Sequence, residues 1–340
     1  MKERVQKIFT KHEKGLGSNY FYRALTAIYL FDFLDKLKEL NYPKEWLSIL
    51  DDDLNELTFS FNSFDKRYDF SKNSFDTWDD SSSEGDFESK TGKVYYELWK
   101  NFKKDEFFDQ TLNILKERFE KNSISVSGVG KALDDGCGSG RYSFALKELG
   151  CLNVTGIDVS PDSIALARNI NPFKDEVSFT QGSVLELPFE DGDFDFVFSN
   201  GVLHHTKSTE KGLKEIYRVL KDDGFCWLYL YGGKESLFWD IVDYCRSLLS
   251  SVPQAYTQSL MRDMGYPPGR IFHRSDFFYV PVNNRYFKEE VERMVNEAGF
   301  KSSKRLVRGA AHDWDEIIHQ NPDIESYIYG EGEMRYLINK

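Results

Sequence analysis

The chain has 340 residues, of which 40% are hydrophobic and 16% aromatic, so it can form a real core and is not globally disordered. Its 56 acidic residues outnumber its 44 basic residues, and a net charge of −12 disfavours nucleic acid as a partner. The first residues lack a secretory signal, and no apolar run of about 18 residues occurs. We therefore expect a cytoplasmic protein without membrane contact.

The four cysteines are scattered along the chain, and no two of them form a Cys-x-x-Cys pair. This spacing is not typical of a zinc site or of a disulfide framework. The sequence therefore predicts no metal, and it leaves the oligomeric state open, with a homodimer as one possibility.

Residues 1–125 form an N-terminal helical region with an irregular middle. Helical spacing of apolar residues marks both ends, around Phe21 and Leu25 and again around Leu112 and Leu115. Between them, residues 51–88 hold twelve acidic residues. This stretch is either a solvated connection or a lid whose flanking aromatic residues close over a ligand.

From residue 131 onward, short apolar strands alternate with helices, which indicates a parallel sheet with right-handed crossovers. A Ser-Pro pair at residues 160–161 begins one of the helices as an N-cap followed by proline. The strands are predicted at Ala132–Asp134, Val154–Ile157, Val177–Thr180, Phe194–Ser199 and Phe225–Tyr231, with two more at Lys304–Val307 and Met334–Ile338.

The alternation stops after the fifth strand and resumes with a helix at Glu289–Ala298. A helical stripe of apolar residues, including Leu237, Ile241 and Cys245, occupies the interval. We therefore predict an α/β fold whose main domain, residues 126–340, carries an insertion at residues 234–285. Before the fifth strand, Lys214–Leu220 is predicted to belong to a helix that the Asp-Asp-Gly of residues 222–224 ends.

Three glycines follow the first predicted strand in the pattern Asp134-x-Gly136-x-Gly138-x-Gly140. Glycines allow positive φ angles and close approach of a ligand, and the helix that follows directs its amides toward that ligand. A dinucleotide fingerprint requires glycine where this chain has Arg141. The turn is therefore either purely structural or built for a ligand without a pyrophosphate.

Asp158 ends the second predicted strand, 22 residues beyond Gly136. A carboxylate at this position can accept hydrogen bonds from both ribose hydroxyls of a nucleoside. The alternative is an ordinary helix-capping aspartate. Because Ser160 already suits that cap, we expect Asp158 to contact a ligand.

Five segments in succession resemble the motifs of the class I S-adenosylmethionine (SAM)-dependent methyltransferases. They are ALDDGCGSG, VTGIDVSPDSIALAR, QGSVLELPF, FDFVFSNGVLHH and IYRVLKDDG. The resemblance covers residues 92–232 and, loosely, the final strands. It implies a Rossmann-like, seven-stranded, mostly parallel sheet, with SAM as cofactor and S-adenosylhomocysteine as product.

By this resemblance, the cofactor is bound by the glycine turn and by the ends of the following strands. The methionine part of SAM would be held by the turn that contains Gly136, Cys137, Gly138, Ser139 and Gly140. Asp134 would orient this turn or contact the methionine ammonium. Asp158 would bind the ribose, Val159 would pack on adenine, and Ser183 and Val184 would lie at the adenine amine. Asn200, Gly201 and Val202 would line the cofactor below the methyl group. Ser183 stands where the family often has Asp, and Asp135 stands where it usually has an apolar residue.

His204 and His205 follow the fourth predicted strand, at the sheet edge where such folds bind ligands. An imidazole titrates near neutrality, so either one could remove a proton from the methyl acceptor. The alternative is that the pair only fixes the loop by hydrogen bonds. Positioning alone can supply much of the rate of an in-line methyl displacement.

The acceptor pocket is predicted to draw on the N-terminal region, on the insertion and on residues near the cofactor. The candidates are Trp78, Tyr95, Arg141, Tyr279 and Arg285. Arg285 could bind a carboxylate or phosphate through two parallel hydrogen bonds, or it could form a surface salt bridge.

Three functions remain open at this point. The first is methyl transfer to an O, N or S atom of a small molecule, for which an acidic surface and a lid are suitable. The second is methylation of a tRNA nucleoside or of a protein side chain. The third is SAM binding without turnover.

Overall fold

The computed structural model describes residues 2–16, 19–39, 45–67 and 108–340. The strands within these ranges are β1 Lys131–Asp135, β2 Asn153–Asp158, β3 Val177–Gln181, β4 Phe194–Asn200, β5 Leu220–Leu230, β6 Ser302–Arg305 and β7 Met334–Asn339. The helices are α1 Lys2–Leu16, α2 Tyr20–Glu39, α3 Trp46–Arg67, α4 Asp109–Lys121, α5 Arg141–Glu148, α6 Pro161–Ile170, α7 Thr209–Val219, α8 Leu237–Leu249, α9 Gln254–Asp263, α10 Pro268–Tyr279, α11 Lys288–Ala298, α12 Trp314–Gln320 and α13 Pro322–Tyr329.

The chain divides into two compact units. One comprises residues 1–83 and 235–279, and the other comprises residues 84–234 and 280–340. The second unit contains a seven-stranded sheet in the order β3-β2-β1-β4-β5-β7-β6. Strands β1 to β5 pair in parallel, whereas β7 runs antiparallel to both of its neighbours. This sheet with flanking helices confirms the predicted Rossmann-like fold.

The parallel strands form because their apolar side chains are buried on both faces, as in Phe194, Phe196 and Phe198 of β4. Capping residues in the sequence mark where helices begin. The Ser160 hydroxyl accepts a hydrogen bond from the Ser163 amide (3.2 Å), which confirms the predicted cap at the start of α6.

The N-terminal helices and residues 235–279 of the predicted insertion belong to the same unit. Helix α8 packs along α2 through an edge-to-face contact between Phe31 and Phe238, and the Arg23 guanidinium donates to the Leu248 carbonyl (3.0 Å). The Phe9 ring of α1 stacks on Tyr244, with 4.1 Å between the ring centroids. These contacts bury the apolar stripe that the sequence placed within residues 234–285. The domain boundary predicted after residue 125 stays a prediction.

Most predicted element boundaries differ from the structure by one residue, but the fifth strand begins five residues earlier than predicted. Leu220 already has extended dihedral angles and begins β5, so helix α7 ends at Val219. Because Phe194 pairs with Leu220 while Phe196 pairs with Phe225, residues 221–224 form a bulge in β5. Strand β6 lies at the sheet edge and is largely exposed, so its apolar pattern is weak and the prediction placed it two residues too late.

Within the described ranges, no helix combines the length and the hydrophobicity that crossing a membrane requires. The same ranges hold no group of three His, Cys, Asp or Glu residues that could bind a metal ion.

Candidate functional site

The candidate site lies where the chain changes direction across the sheet. From β1 the chain continues outward to β2 and β3, and it then returns to the other side of β1 to form β4 and β5. The carboxyl ends of β1 and β4 therefore meet without a crossover connection above them. Open α/β sheets bind ligands at such a switch point.

The glycine turn after β1 has the geometry that its sequence predicts. Gly136, Gly138 and Gly140 have φ angles of 79°, 53° and 88°, a region that disfavours other residues. Gly136 has a second constraint, because a Cβ atom there would lie 2.5 Å from the side chain of Val202. The turn can therefore approach the chain after β4 only while residue 136 is glycine.

Asp158 fixes the glycine turn to the start of the next helix. One of its carboxylate oxygens accepts the Gly138 amide (2.8 Å), and the other accepts the Ser160 amide (2.9 Å). Burial raises the pKa of Asp158, and these two bonds oppose that shift. Each oxygen still has a lone pair for a ligand hydroxyl. The ribose role of Asp158 remains a prediction, but the carboxylate also holds the turn.

Two further carboxylates lie beside the turn, on opposite faces of β1. Asp134 accepts the Ser143 hydroxyl (2.6 Å), whereas neither oxygen of Asp135 has a hydrogen-bond partner. Asp135 is 0% exposed. Burial raises the pKa of each of these two carboxyls to about 7.

This environment suits a cationic ligand such as SAM. None of the carboxylates of Asp134, Asp135 and Asp158 forms an ion pair with a described residue, and their mutual repulsion favours a nearby positive charge. The sulfonium and ammonium groups of SAM are two such charges. The buried Ser139 hydroxyl in the turn also lacks a partner and could bind the SAM carboxylate. The predicted cofactor residues therefore fit the group that the resemblance implies.

His204 lies in a short 3-10 turn, Leu203–His205, after β4. It is 0% exposed and stacks on Tyr231, with 3.7 Å between the ring centroids. Its Nδ1 accepts the Tyr231 amide (3.2 Å), so Nε2 carries the hydrogen. Burial and neighbouring His205 lower its pKa well below the usual 6.5. A neutral imidazole with this tautomer donates a hydrogen bond and does not accept a proton.

His205 has the opposite orientation. Its Nδ1 lies 2.7 Å from the Val282 carbonyl oxygen, which can only accept, so Nδ1 carries the hydrogen. In the neutral ring the basic nitrogen is then Nε2. Of the two histidines, His205 has the tautomer that a general base requires.

The residues predicted to contact adenine already form hydrogen bonds or packing contacts within the protein. The Ser183 hydroxyl accepts the Leu185 amide (3.2 Å), and the Val184 side chain is buried in the core. The Val159 carbonyl accepts the side-chain amide of Gln181 (3.2 Å). Because Ser183 stabilises its own turn, its hydroxyl has only one remaining lone pair and its hydrogen for adenine.

The residues predicted to line the cofactor after β4 lie opposite the glycine turn. Asn200 accepts the Trp227 indole N–H through its side-chain oxygen (3.0 Å). Gly201 has a φ angle of 81° and donates to the Tyr229 carbonyl (3.2 Å), and Val202 packs on Gly136. The structure therefore brings the predicted residues of β1 and β4 together. Cys137 is buried, and burial raises its thiol pKa well above 9, so it stays a neutral thiol.

The residues predicted for the acceptor have different surroundings. Arg141 stacks on the ring of Tyr142 (4.6 Å), next to the glycine turn. Tyr279 belongs to the unit of the N-terminal helices, where its hydroxyl bonds to Thr257 (2.6 Å). Arg285 is the last residue of the predicted insertion and lines a cavity together with Asn283 and Tyr286. Trp78 and Tyr95 lie outside the described residues.

Sequence reasoning missed a buried ionic network behind the site. Arg118 of α4 binds Asp313 through two hydrogen bonds (2.6 and 2.8 Å), and it also donates to the Tyr142 hydroxyl (3.4 Å). Fully buried Arg335 lies over the Tyr229 ring (4.7 Å) and bonds to Glu333 (2.6 Å). Because Arg118 and Asp313 are 195 residues apart, no local motif signals their ion pair.

Comparisons with known proteins agree with this geometry. A family described as "Methyltransferase domain" matches residues 133–228. The chain is also 31% identical over 176 residues to a demethylmenaquinone methyltransferase of Staphylococcus aureus, covering 50% of this chain and 67% of that protein. The chain belongs to the class I SAM-dependent methyltransferases. The methyltransferase is therefore an enzyme that uses SAM, and the glycine turn lies within the matched residues.

Solved structures of SAM-dependent methyltransferases are also similar to this methyltransferase. One from Aquifex aeolicus is 19% identical, with a TM-score of 0.42, and the alignment covers 76% of this chain and 100% of that one. Another, from Mesorhizobium loti, is 15% identical, with a TM-score of 0.45 and coverage of 67% and 100%.

Proposed function

We propose that this methyltransferase transfers the methyl group of SAM to an O, N or S atom of a small-molecule acceptor. The observation that carries the proposal is the pairing of a cofactor turn with a histidine turn at one sheet edge. SAM supplies a methyl group on a positively charged sulfur. The similarity to the demethylmenaquinone methyltransferase of Staphylococcus aureus supports an acceptor that is a small molecule.

Each of the site residues would have a separate role in cofactor binding or catalysis. In this proposal Asp134, Asp158 and Ser139 hold the ends of the cofactor, and Val202 packs below its methyl group. His205 receives the acceptor proton at Nε2. Residues 126–340 form the methyltransferase domain, and residues 234–285 contribute to the acceptor pocket. A chain with a net charge of −12 is also suited to a compact acceptor rather than to RNA.

Methyl transfer from radiolabelled SAM to fractions of a cell extract tests this function. We expect label in the small-metabolite fraction. Label in tRNA or protein would contradict the small-molecule acceptor, and SAM binding without label in any fraction would contradict catalysis.

Asp158→Ala tests the cofactor site directly by calorimetry. Loss of one or two charge-assisted hydrogen bonds should weaken SAM binding by roughly 2–4 kcal/mol. Asp162→Ala is the matched control, because Asp162 is an exposed acid in the first turn of α6. Equal SAM affinity of Asp158→Ala and Asp162→Ala would refute the proposed ribose contact.

A further inference from the structure

Asp135 lies at the base of the glycine turn. It is the last residue of β1 and directly precedes Gly136. It pairs with Ile157 of β2, whose carbonyl accepts the Gly136 and Cys137 amides (2.9 and 2.8 Å). Strand β1 has β2 on one side and β4 on the other. Asp135 is therefore placed between the two strands whose following residues are predicted to hold the cofactor.

The Asp135 carboxylate is buried without a cationic partner. Its side chain is 0% exposed, and no described residue forms an ion pair with it. The titratable groups that face it are three carboxyls and two thiols, those of Asp134, Asp158, Glu215, Cys137 and Cys226. Burial raises the pKa of Asp135 to about 7 against the opposing effect of the Ser199 hydroxyl, and the three carboxylates add to the rise. Because none of these groups is cationic, an ionised Asp135 is stabilised when a cation binds nearby.

Arg141 at the start of α5 and Arg218 on α7 do not compensate this charge. Arg218 pairs with Glu215 (2.8 Å) and with Asp191 (2.9 Å). Arg141 lowers the pKa of Asp134, but burial still raises that pKa to about 7. The base of the turn is therefore electrically negative once its carboxyls are ionised.

SAM and S-adenosylhomocysteine differ in charge at one atom. The sulfur of SAM carries the transferred methyl group and a positive charge, whereas the sulfur of S-adenosylhomocysteine is neutral. A carboxylate that acts on the sulfur through its charge alone therefore raises the affinity for SAM and leaves the affinity for the product nearly unchanged. Asp135 can act only in this way, because its oxygens are inaccessible to a ligand, and salt screens a buried charge poorly.

Asp135 also has a cost for folding. A buried carboxylate without an ion pair is unfavourable in its ionised form, and a neutral side chain at this position would avoid that cost. Residues that oppose folding are expected mainly at functional sites. The position of Asp135 directly before Gly136 connects this cost to cofactor binding.

We propose that Asp135 is a specificity-determining residue that favours SAM over S-adenosylhomocysteine through the charge of its buried carboxylate. It touches neither molecule, and it attracts the positive sulfur of SAM. Because this attraction is lost after methyl transfer, Asp135 limits inhibition by the product. This inference rests on the proposed function and adds to it a discrimination between cofactor and product.

Calorimetry of SAM and of S-adenosylhomocysteine with the full chain tests this role without requiring turnover. The quantity compared is the Kd of S-adenosylhomocysteine divided by the Kd of SAM, because the contributions of their shared parts cancel. At pH 8, above the pKa of about 7 of both Asp134 and Asp135, Asp135→Asn should lower this ratio about threefold or more relative to the wild type. At pH 5 the carboxyl of Asp135 is protonated, so the variant and the wild type should have the same ratio.

Two further variants separate charge from shape and from position. Asp135→Leu removes the charge with an apolar side chain and should lower the ratio at pH 8 as much as Asp135→Asn does. A packing defect that weakens both ligands equally leaves the ratio unchanged. Asp223→Asn is the matched control, because it removes an exposed carboxylate near the start of β5, at the opposite end of the strands from Asp135, and it should leave the ratio unchanged.

An unchanged ratio in Asp135→Asn at pH 8, or the same decrease at pH 5 as at pH 8, would overturn the proposal. So would a decrease in Asp135→Asn that Asp135→Leu does not share, since the effect would then depend on side-chain shape. In each of these cases both ligands still bind, and the proposed function would stand. Failure of the wild type to bind either ligand would instead contradict the cofactor site, and with it the proposed function.

Discussion

The glycine turn after β1 and the histidine turn after β4 meet at one sheet edge but are stabilised in opposite ways. In the glycine turn, the Asp158 carboxylate fixes backbone amides. In the histidine turn, backbone groups fix side chains, because the Tyr231 amide orients His204 and the Val282 carbonyl orients His205. Damage to the first region should therefore alter the fold and SAM affinity, whereas damage to the second should alter turnover.

Gly136→Ala should have the largest effect. The substitution places a Cβ atom 2.5 Å from Val202 in a residue with a φ angle of 79°. Backbone strain and overpacking together should cost about 3 kcal/mol or more of unfolding free energy and abolish measurable SAM binding. Chemical denaturation and calorimetry measure the two losses.

Gly128→Ala is the matched control for Gly136→Ala. Gly128 has nearly the same φ angle, 80°, but nothing lies within 4 Å of the position that a Cβ would occupy. We expect it to cost about 1–2 kcal/mol, from backbone strain alone. Equal losses for the two variants would show that contact with Val202 is unimportant.

Asp135→Asn tests the carboxylate that no hydrogen bond satisfies. Burial raises the pKa of folded Asp135 to about 7, so the folded protein binds this proton more tightly than the unfolded chain does. The stabilisation that the protonated Asp135 gives the folded state is complete below about pH 4. It is lost as the pH rises from about 4 through 7. The asparagine variant has no carboxyl group at this position, so its unfolding free energy does not fall for this reason.

The unfolding free energy of Asp135→Asn, relative to the wild type, should therefore increase by on the order of 3 kcal/mol between pH 5 and pH 8. Asp162→Asn, at an exposed position on α6, should show no such trend. A pH-independent difference for Asp135→Asn would mean that the buried carboxyl titrates normally.

His205→Ala should have the smallest effect on SAM affinity, a change of less than about twofold, because the ring holds no part of the glycine turn. Its kcat should fall about a hundredfold if Nε2 receives the acceptor proton. His204→Ala serves as the comparison, since His204 cannot act as a base with the tautomer that its hydrogen bond from the Tyr231 amide requires. Full turnover in His205→Ala would leave positioning as the source of catalysis.

The sequence alone predicted the residues of the cofactor half of the site, and their contacts with SAM stay a prediction. The glycine turn and the cap at Ser160 depend on neighbouring residues, and local spacing records such contacts well. The same spacing indicated Asp158, although it did not indicate that this carboxylate bonds to the Gly138 amide.

Only the tertiary structure decided the environment of the histidine turn. The tautomers of His204 and His205 depend on Tyr231 and on Val282, which lies 77 residues after His205. The unpaired amide of Asn283 is likewise visible only when its surroundings are known. Hydrogen bonds between distant residues leave no periodic signal in a sequence, because folding alone brings the donor and the acceptor together.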